Sequence, residues 1–482
     1  MSEEPAGDVV RGERFSGGPA RGFLSSLAAD ERIFRADLQV DRAHAVMLAE
    51  QGIVTDAEAT EILRGLAAVE RAGHADLPDG EDVHSAIETA VIDRVGPVGG
   101  KMHTGRSRND EVATCLRHRL RSDIVETVET VLAFRESLCA LAERERETTM
   151  PGFTHLQFAQ PTTVGHYLLS YESALARDTE RLLAAFDRTN RSPLGAAAFA
   201  GTTFDIDRDR TAELLGFDSV IENSTDAVSA RDFLTETTAA LATLATTLSG
   251  IAEDLIIFAS EGYVKLHDDY ASTSSIMPQK KNPDSLELVR AVAGDASAGL
   301  DGLLTTLKGL PRAYNRDLQR AHGHAFETID TVTEATTVAA GAVATADWNA
   351  DVLATEAGEG FSTATGVADL LAAGGLPFRT AHELVARAAE QGADRAAIES
   401  AAAESGVDLD EYIEPTALDA ALDPDQSVAS RDSYGGPAPE AVASALDRAT
   451  ADVADAQAAL AARTETLTEG ETLLETEVAS YV

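Results

Sequence analysis

The sequence contains little of what marks a secreted, metal-binding or membrane-embedded protein. Only two of its 482 residues are cysteine, and no group of cysteines and histidines has the spacing of a structural zinc site. We find no apolar signal segment and no apolar run that we expect to span a bilayer. These absences argue against disulfides, a bound metal and a membrane partner, and they predict a soluble, cytoplasmic protein.

Lysine is scarce as well, although the chain is highly charged. There are 81 acidic and 39 basic residues, most of the basic ones arginine, so the net charge is -42. The acidic residues are spread along the whole length, which disfavours nucleic-acid partners. Such a charge suits a protein that stays soluble in concentrated salt, where screening weakens self-repulsion. We therefore expect a halophilic host.

Aromatic residues make up only 5% of the chain, while alanine, leucine, glutamate and threonine dominate. This composition favours helices over sheets. We predict an all-α fold with three helical domains, at residues 1–105, 106–350 and 351–482. The central domain is a bundle of long helices, whose wide apolar faces predict oligomerisation. The long helical runs are expected at 112–150, 162–187, 223–258, 283–307 and 318–346.

Residues 272–290 stand out because they contain two of the chain's few lysines side by side, Lys280 and Lys281. Just after them, Asn282 is a good helix N-cap and Pro283 fits the first helical position. The free N–H groups and the positive dipole end of a helix N-terminus favour an anion. We interpret the segment as a catalytic, anion-binding loop. An ordinary polar loop before a helix is the alternative.

A second polar cluster, residues 101–110, ends where the first long helix is predicted to begin. It contains Arg106 and Arg108, and Asp110 falls in the first turn of the helix, where negative charge is favourable. Arginines at this position are able to bind a carboxylate through two parallel hydrogen bonds. Pairing of both arginines with the acidic surface is the alternative interpretation.

Residues 151–161 begin and end with proline, and we predict that they form a loop. His155 lies there among polar and small residues rather than on an apolar stripe. Its imidazole is therefore a candidate acid or base near neutral pH. A purely structural histidine is compatible with the same pattern.

Two pairs of polar residues in the first hundred positions have the spacing of helical neighbours. Ser26 lies four residues before Asp30, and His84 lies four residues before Glu88. Each pair would share one face of a helix. Taken alone, an N-cap serine with a solvated aspartate, and a surface histidine–glutamate pair, are the simpler interpretations.

Three blocks of sequence together resemble the fumarase/aspartase superfamily and, within it, the argininosuccinate lyase family, over nearly the whole chain. They are residues 103–110, which read HTGRSRND, residues 152–161, and residues 274–290. The superfamily shares a looser version of the third block, Ser-Ser-x-Met-Pro-x-Lys-x-Asn-Pro. The forms QKKNPDSLE and RSRND in this chain are typical of the argininosuccinate branch.

The resemblance implies reversible cleavage of argininosuccinate to arginine and fumarate in arginine biosynthesis, without a cofactor. A base removes a proton beside a carboxylate, giving an enolate-like intermediate, and an acid protonates the departing nitrogen. By resemblance Ser274 is the base, while Lys280 and Asn282 hold the developing negative charge. His155 is the acid or orients it, and Glu287 fixes the tautomer of His155. A bound water is the alternative proton donor.

The resemblance also implies a set of substrate-binding groups and an assembly. The matching ligands are Thr154, Arg108 and Asn109 for the carboxylates of the substrate, Ser26, Asp30, Tyr314 and Gln319 for its arginine end, and His84 as a further active-site histidine. The implied assembly is a homotetramer, in which a central bundle brings the three blocks together from different subunits.

The chain departs from the pattern of the family in two places. Ser272 and Thr273 stand where Thr-Gly is usual, so the mobile loop lacks a flexible glycine. Where the family has a lysine this chain has His322, and we hypothesise that Arg320, His322 or His324 supplies the missing contact.

Two other functions remain as alternatives. One is another fumarate-releasing lyase, such as adenylosuccinate lyase or aspartase, and the branch-specific motifs argue against it. The other is a non-catalytic structural protein on the same fold, as in lens crystallins. The joint presence of Ser274, His155, Lys280 and Glu287 argues against that function.

Overall fold

A computed structural model of the protein describes residues 19–482, so part of the predicted first domain, residues 1–18, lies outside it. The described chain is mainly helical, with four small two-stranded sheets, which confirms the predicted all-α class.

The α-helices are α1 (Pro19–Leu24), α2 (Phe34–Glu50), α3 (Asp56–Ala72), α4 (Val83–Val95), α5 (Arg108–Arg144), α6 (Val164–Thr189), α7 (Arg208–Leu214), α8 (Ser224–Ser229), α9 (Asp232–Glu261), α10 (Asp284–Leu307), α11 (Ala321–Ala344), α12 (Ala350–Glu356), α13 (Ala364–Ala373), α14 (Phe378–Glu390), α15 (Arg395–Glu404), α16 (Pro415–Leu422), α17 (Pro424–Ala429) and α18 (Pro439–Tyr481). The strands are β1 (Thr149–Thr154), β2 (Gln157–Thr163), β3 (Arg191–Ser192), β4 (Ser219–Val220), β5 (Val264–Lys265), β6 (Ser272–Thr273), β7 (Lys281–Asn282) and β8 (Asp347–Trp348).

The five predicted long helices correspond to α5, α6, α9, α10 and α11, and they pack against one another as a bundle. The first of them begins at Arg108 for a local reason. The Ser107 hydroxyl accepts a hydrogen bond from the Asn109 N–H, and the Asp110 carboxylate accepts one at 2.8 Å from the Ser107 N–H. This reciprocal cap satisfies N–H groups that a helix N-terminus leaves unpaired. It places the polar residues 106–109 at the very end of the bundle.

The bundle has two ends, which carry different parts of the predicted site. At the cavity end lie the N-termini of α5, α9 and α11 and the turn that follows α10, all of which contribute to one cavity. At the loop end lie the other termini of these helices, where Tyr270 contacts Gly341 of α11 and accepts a hydrogen bond from Ser285 of α10. At 1.5 Å per residue the two ends are about 36 Å apart along α10 and about 55 Å apart along α5.

Two local predictions at the loop end were wrong. Residues 151–161 form most of the antiparallel hairpin β1–β2 rather than a loop, with Pro151 opposite Pro161 and an irregular register before Phe153. A two-stranded hairpin has only edge strands, which tolerate proline. Asn282 does not cap α10, because it pairs with Ser272 as part of β7 and the helix starts one residue later than predicted, after Pro283.

Helix α9 corrects the expectation that no apolar run reaches membrane-spanning length. Its most apolar 18-residue window has a mean hydropathy of 1.5, and by length and composition it is able to cross a bilayer. In the fold, α9 packs against α6, α10 and α11. Apolar core helices of a bundle have the same composition as a span, since both are surrounded by apolar groups.

The apolar core consists of one large cluster and several smaller ones. The large cluster joins the first helices to the bundle and includes Leu446, Leu460 and Leu474 of α18, which packs along α5 and α6. A separate core forms within α13–α16. By packing, α18 therefore belongs with the bundle, and the predicted division into three domains stays a prediction.

Candidate active site

A cavity of about 130 Å³ lies at the cavity end of the bundle. Seven of the predicted substrate-binding residues line it, although they come from four separate stretches of the chain. They are Ser26, Asp30, His84, Arg108, Asn109, Tyr314 and Gln319. Sequence spacing alone could not have brought these segments together.

The pair Ser26 and Asp30 is a hydrogen-bonded unit rather than a solvated one. The Ser26 hydroxyl donates to Asp30 Oδ2 at 2.7 Å, and the Val83 N–H donates to the same oxygen at 3.2 Å. Burial raises the pKa of Asp30, and the nearby charge of His84 and these hydrogen bonds oppose that rise. Asp30 is thus a buried carboxyl group on the cavity wall.

His84 is buried and paired with acid, so the interpretation as a surface histidine was wrong. Its Nδ1 lies 2.8 Å from Asp37 Oδ2 and 3.9 Å from Glu111 Oε1. Burial disfavours the charged ring, but the carboxylates of Asp37 and Glu111 outweigh it and raise the pKa of His84 to about 10. The cavity therefore has an imidazolium cation in its wall at neutral pH.

The two neighbouring arginines of the second polar cluster have different roles. Arg106 is buried and contacts Asp41 and, at 3.0 Å, Glu111. Arg108 lines the cavity, and its Nη1 donates to Asp82 Oδ2 at 2.6 Å. Only Arg108 is placed to meet a substrate.

Behind the cavity wall, acidic groups come close enough to one another to suggest a cation site. Asp37, Asp41 and Glu111 offer oxygens within 4.8 Å of one another, among residues 19–482. Arg106 and His84 already supply positive charge to these oxygens. The group is therefore better described as an internal ion-pair network than as an open metal site.

Sequence reasoning missed several cavity residues, namely Asp82, Arg231 and Arg316, and left His322 as one of three candidates. Arg231 stands in the break between α8 and α9, where the predicted continuous helix gave no reason to single it out. Arg316 pairs with Glu81 at the rim.

Of the three basic candidates Arg320, His322 and His324, only His322 lines the cavity. Arg320 approaches the Phe23 ring, and His324 lies against Gly302.

The remaining predicted site residues lie at the loop end, and Ser274 is in a small hairpin there. Strands β6 and β7 pair, and the Ser274 N–H donates to the Lys280 carbonyl at 3.1 Å. The Ser274 Oγ accepts hydrogen bonds from the N–H groups of Ile276 at 3.4 Å and Met277 at 3.1 Å. This turn holds the hydroxyl group in a defined position.

The two lysines of this loop differ in their contacts. The ammonium group of Lys281 donates hydrogen bonds to the Leu266 carbonyl and, at 2.6 Å, to Asp268 Oδ1. Lys280 is exposed, and its ammonium group donates to the side-chain oxygen of Asn282. Glu287, in the first turn of α10, is exposed as well.

Thr154 and His155 lie at the tip of the β1–β2 hairpin, where both are exposed. His155 and Leu156 have positive φ angles of 56° and 57°, as a two-residue hairpin turn requires. Non-glycine residues rarely adopt this conformation, and strain of this kind clusters at functional sites. Phe153 anchors the hairpin by stacking on Tyr263 at 6.3 Å.

The predicted site is therefore divided between the two ends of one chain. Seven residues line the cavity, and six do not: Thr154, His155, Ser274, Lys280, Asn282 and Glu287. Among residues 19–482, no ion pair joins His155 to Glu287.

Comparison with known families gives a consistent result over most of the chain. A family described as lyase matches residues 22–297, and one described as argininosuccinate lyase C-terminal matches residues 361–429. The argininosuccinate lyase of Natronomonas pharaonis is 71% identical over 444 residues, which are 92% of this chain and 90% of that protein. The argininosuccinate lyase of Haloarcula marismortui is 63% identical over 481 residues, covering 98% and 96%.

Solved structures agree with the sequence comparison. A crystal structure of EDDS lyase in complex with formate has a TM-score of 0.85 and 34% identity, with 96% of each chain covered. A class II fumarase from Schistosoma mansoni has a TM-score of 0.69 at 16% identity, covering 80% of this chain and 90% of that one. The second similarity concerns the fold alone.

Proposed function

The chain belongs to the argininosuccinate lyase family, and from this premise we propose that it cleaves argininosuccinate reversibly to L-arginine and fumarate. The observation that carries the proposal is the cavity, where seven residues expected to bind this substrate meet. Asp30 offers a buried acid for a cationic group, while Arg108 and the charged His84 offer cations for carboxylates. A substrate with both kinds of group fits this mixture.

In this proposal Ser274 is the base that removes the proton beside the carboxylate. A serine hydroxyl is a weak acid, so its ionised form needs stabilisation. The two N–H groups directed at Ser274 Oγ favour that form, because hydrogen bonds to a charged group lower its free energy. Lys280 and Asn282, on the same hairpin, would hold the negative charge that develops on the substrate.

His155 delivers the proton to the departing nitrogen, or orients a water that does so. Its position at the tip of a short hairpin supports this role, since the ring projects from the surface of its own chain. Glu287 would fix its tautomer once the two residues are brought together, and Thr154 would bind a carboxylate.

A homotetramer would bring the two ends together. Only four of the 24 residues of α10 are buried within the chain, and Leu288 and Leu304 on this helix are 70% and 48% exposed. Less than half of the apolar window of α9 is buried. The exposed apolar faces of α9 and α10 support the proposal that these helices are buried against other copies of the chain. Antiparallel packing of these faces would place the loop end of one subunit beside the cavity end of another.

We also propose that the enzyme serves arginine biosynthesis in a salt-rich cytoplasm, in line with its high negative charge and its relatives in halophilic archaea. His322 is the member of the basic cluster that we propose to replace the family's lysine, because it lines the cavity.

The test is fumarate release by the purified protein in concentrated salt. Argininosuccinate, adenylosuccinate, aspartate and EDDS are supplied in parallel, with Ser274→Ala as the control variant. EDDS is included because an EDDS lyase is among the similar structures. Release from argininosuccinate alone, abolished by the substitution, is the expected result. A folded oligomer that releases fumarate from another of these substrates, or from none, would contradict the proposal.

A further inference from the structure

We propose that Met277, in the same loop as Ser274, is an oxidation site through which a peroxide reversibly lowers the activity of the enzyme. The thioether sulfur gives an electron pair to one peroxide oxygen, the O–O bond breaks, and methionine sulfoxide and water are formed. The inference rests on the proposed function for its effect on turnover. It assigns to the loop a sensitivity to oxidants that the proposed chemistry does not require.

Met277 differs from the other described methionines in its exposure. The chain has five methionines, of which Met1 lies outside the described residues. Met47 and Met102 are each 1% exposed, and Met150 is 2% exposed. All three belong to apolar core clusters, whereas Met277 is 42% exposed. A peroxide dissolved in water therefore reaches the sulfur of Met277 far more readily than the sulfurs in the core.

The two cysteines do not compete for the oxidant. Oxidation of a cysteine requires exposure and the thiolate form. Cys115 is fully buried, and burial raises the pKa of its thiol well above the ordinary value. Cys139 is 8% exposed, and burial raises the pKa of its thiol to about 11. Both remain protonated at neutral pH, so among residues 19–482 the sulfur of Met277 is the one most open to peroxide.

Met277 also takes part in the turn that holds the Ser274 hydroxyl group. Its N–H donates to Ser274 Oγ at 3.1 Å, and its carbonyl oxygen accepts a hydrogen bond from the Lys280 N–H at 3.0 Å. The preceding residue, Ile276, is 83% exposed, so two apolar side chains lie at the surface of this turn. The residue that peroxide modifies is therefore bonded both to the proposed base and to the lysine beside it.

Oxidation should act on the movement of the loop rather than on the folded core. The sulfoxide group is polar, and water solvates it while the loop is open. When the loop closes over a substrate, the side chain leaves water, and a polar group buried without a hydrogen-bond partner raises the free energy of the closed state. Because the loop has to reopen to release products, the sulfur is accessible to peroxide between turnovers. Oxidation should thus lower kcat without unfolding the protein.

The experiment treats the full-length wild-type protein with hydrogen peroxide in concentrated salt. Peptide mass spectrometry gives the oxidised fraction of each methionine, and fumarate release from argininosuccinate gives the activity. We expect Met277 to be oxidised before the core methionines, and kcat to fall by about 10-fold as it is oxidised. Methionine sulfoxide reductases for both sulfoxide epimers should then restore the activity, because they regenerate the thioether.

Two leucine variants locate the effect. Met277→Leu removes the sulfur but keeps the backbone N–H that donates to Ser274 Oγ, so peroxide should not change its activity from its own untreated value. Met47→Leu is the matched control, because it replaces a buried methionine at nearly constant volume and should lose activity on treatment as wild type does. If Met277→Leu turns over too slowly to assay, the decision comes from wild type alone. There the lost activity should follow the oxidised fraction of Met277 and return on reduction.

Full oxidation of Met277 without loss of fumarate release would overturn the inference, and so would an equal loss in treated Met277→Leu. Untreated wild type separates these outcomes from failure of the proposed function, since a lack of turnover before treatment refutes the function. The mass spectra decide the site in either case. Oxidation of the core methionines before Met277 would refute Met277 as the reactive sulfur.

Discussion

The two ends of the bundle differ in how their charged groups are stabilised. At the cavity end most of the charged groups are buried or half-buried, and most are matched within the chain, as in His84 with Asp37 and Arg108 with Asp82. At the loop end His155, Lys280 and Glu287 are exposed, and water solvates them. A charge that folding removes from water needs a partner in the same chain. An exposed charge is stabilised by water, so its partner is free to come from another copy of the chain. We infer that the binding half of the site is preformed and that the chemical half is completed on assembly.

The largest effect should come from the loop end and leave stability unchanged. Ser274→Ala removes the proposed base, so kcat should fall by about 10²- to 10⁴-fold. The unfolding free energy should change by less than about 0.5 kcal/mol, because the residue lies in a largely exposed loop. Fumarate release and denaturant unfolding measure the two quantities. Ser275→Ala, one residue along the same loop, is the matched control and should lose far less activity.

The cavity end should show the reverse pattern, with a large effect on stability. Asp37→Asn removes a partner of the buried His84 and should destabilise the protein by about 3–5 kcal/mol. The exposed Asp79, which pairs with Arg21, provides the control Asp79→Asn, and its loss should be below about 1 kcal/mol. Equal losses in the two variants would mean that the cavity end is not held by its buried ion pairs.

The effect of Asp37→Asn should also depend on pH, with a predictable sign. The pKa of His84 is raised from 6.5 to about 10, so the folded state holds the proton more tightly than the unfolded chain. The stability that this provides is fully present below pH 6.5 and is lost as the pH rises through 10. The difference between wild type and Asp37→Asn should therefore shrink between these values in unfolding experiments. A difference that stays constant, or grows with pH, would contradict the assignment.

The smallest effect should come from the flexibility of the loop. Thr273 pairs with Lys281 in the β6–β7 hairpin, and Thr273→Gly should weaken that pairing by roughly 0.5–1 kcal/mol. We expect kcat to fall by up to about fivefold with little change in KM, and amide exchange to quicken over residues 272–282. Thr273→Ala controls for loss of the side chain. A change confined to KM would mean instead that the loop contributes to substrate binding in the ground state and not to the catalytic step.

The sequence predicted the long helices well, because apolar spacing and the absence of proline determine them locally. It was less successful where tertiary contacts decide the structure. Two prolines typical of turns predict a loop at 151–161, where the chain forms a hairpin, and strand pairing prevents the helix cap that is predicted at Asn282.

The candidate residues of the site were recognised from motifs, but their grouping was not. Nothing in the spacing of Ser26, His84, Arg108 and Tyr314 predicts a common cavity, because long-range packing of α2, α4 and α5 creates it. Arg231 was missed for a related reason. An arginine at a helix boundary is ordinary in sequence, and only the fold shows that this one is buried in the wall of the cavity.

The most direct test of the two-ended site is complementation between subunits. Arg108→Gln, altered at the cavity end, and Ser274→Ala, altered at the loop end, are each expected to be inactive as pure proteins. Co-expressed with different affinity tags and purified as mixed oligomers, they should regain fumarate release, because some sites then combine an intact cavity with an intact loop. A mixed oligomer as inactive as both parents would show that each site is built within one chain.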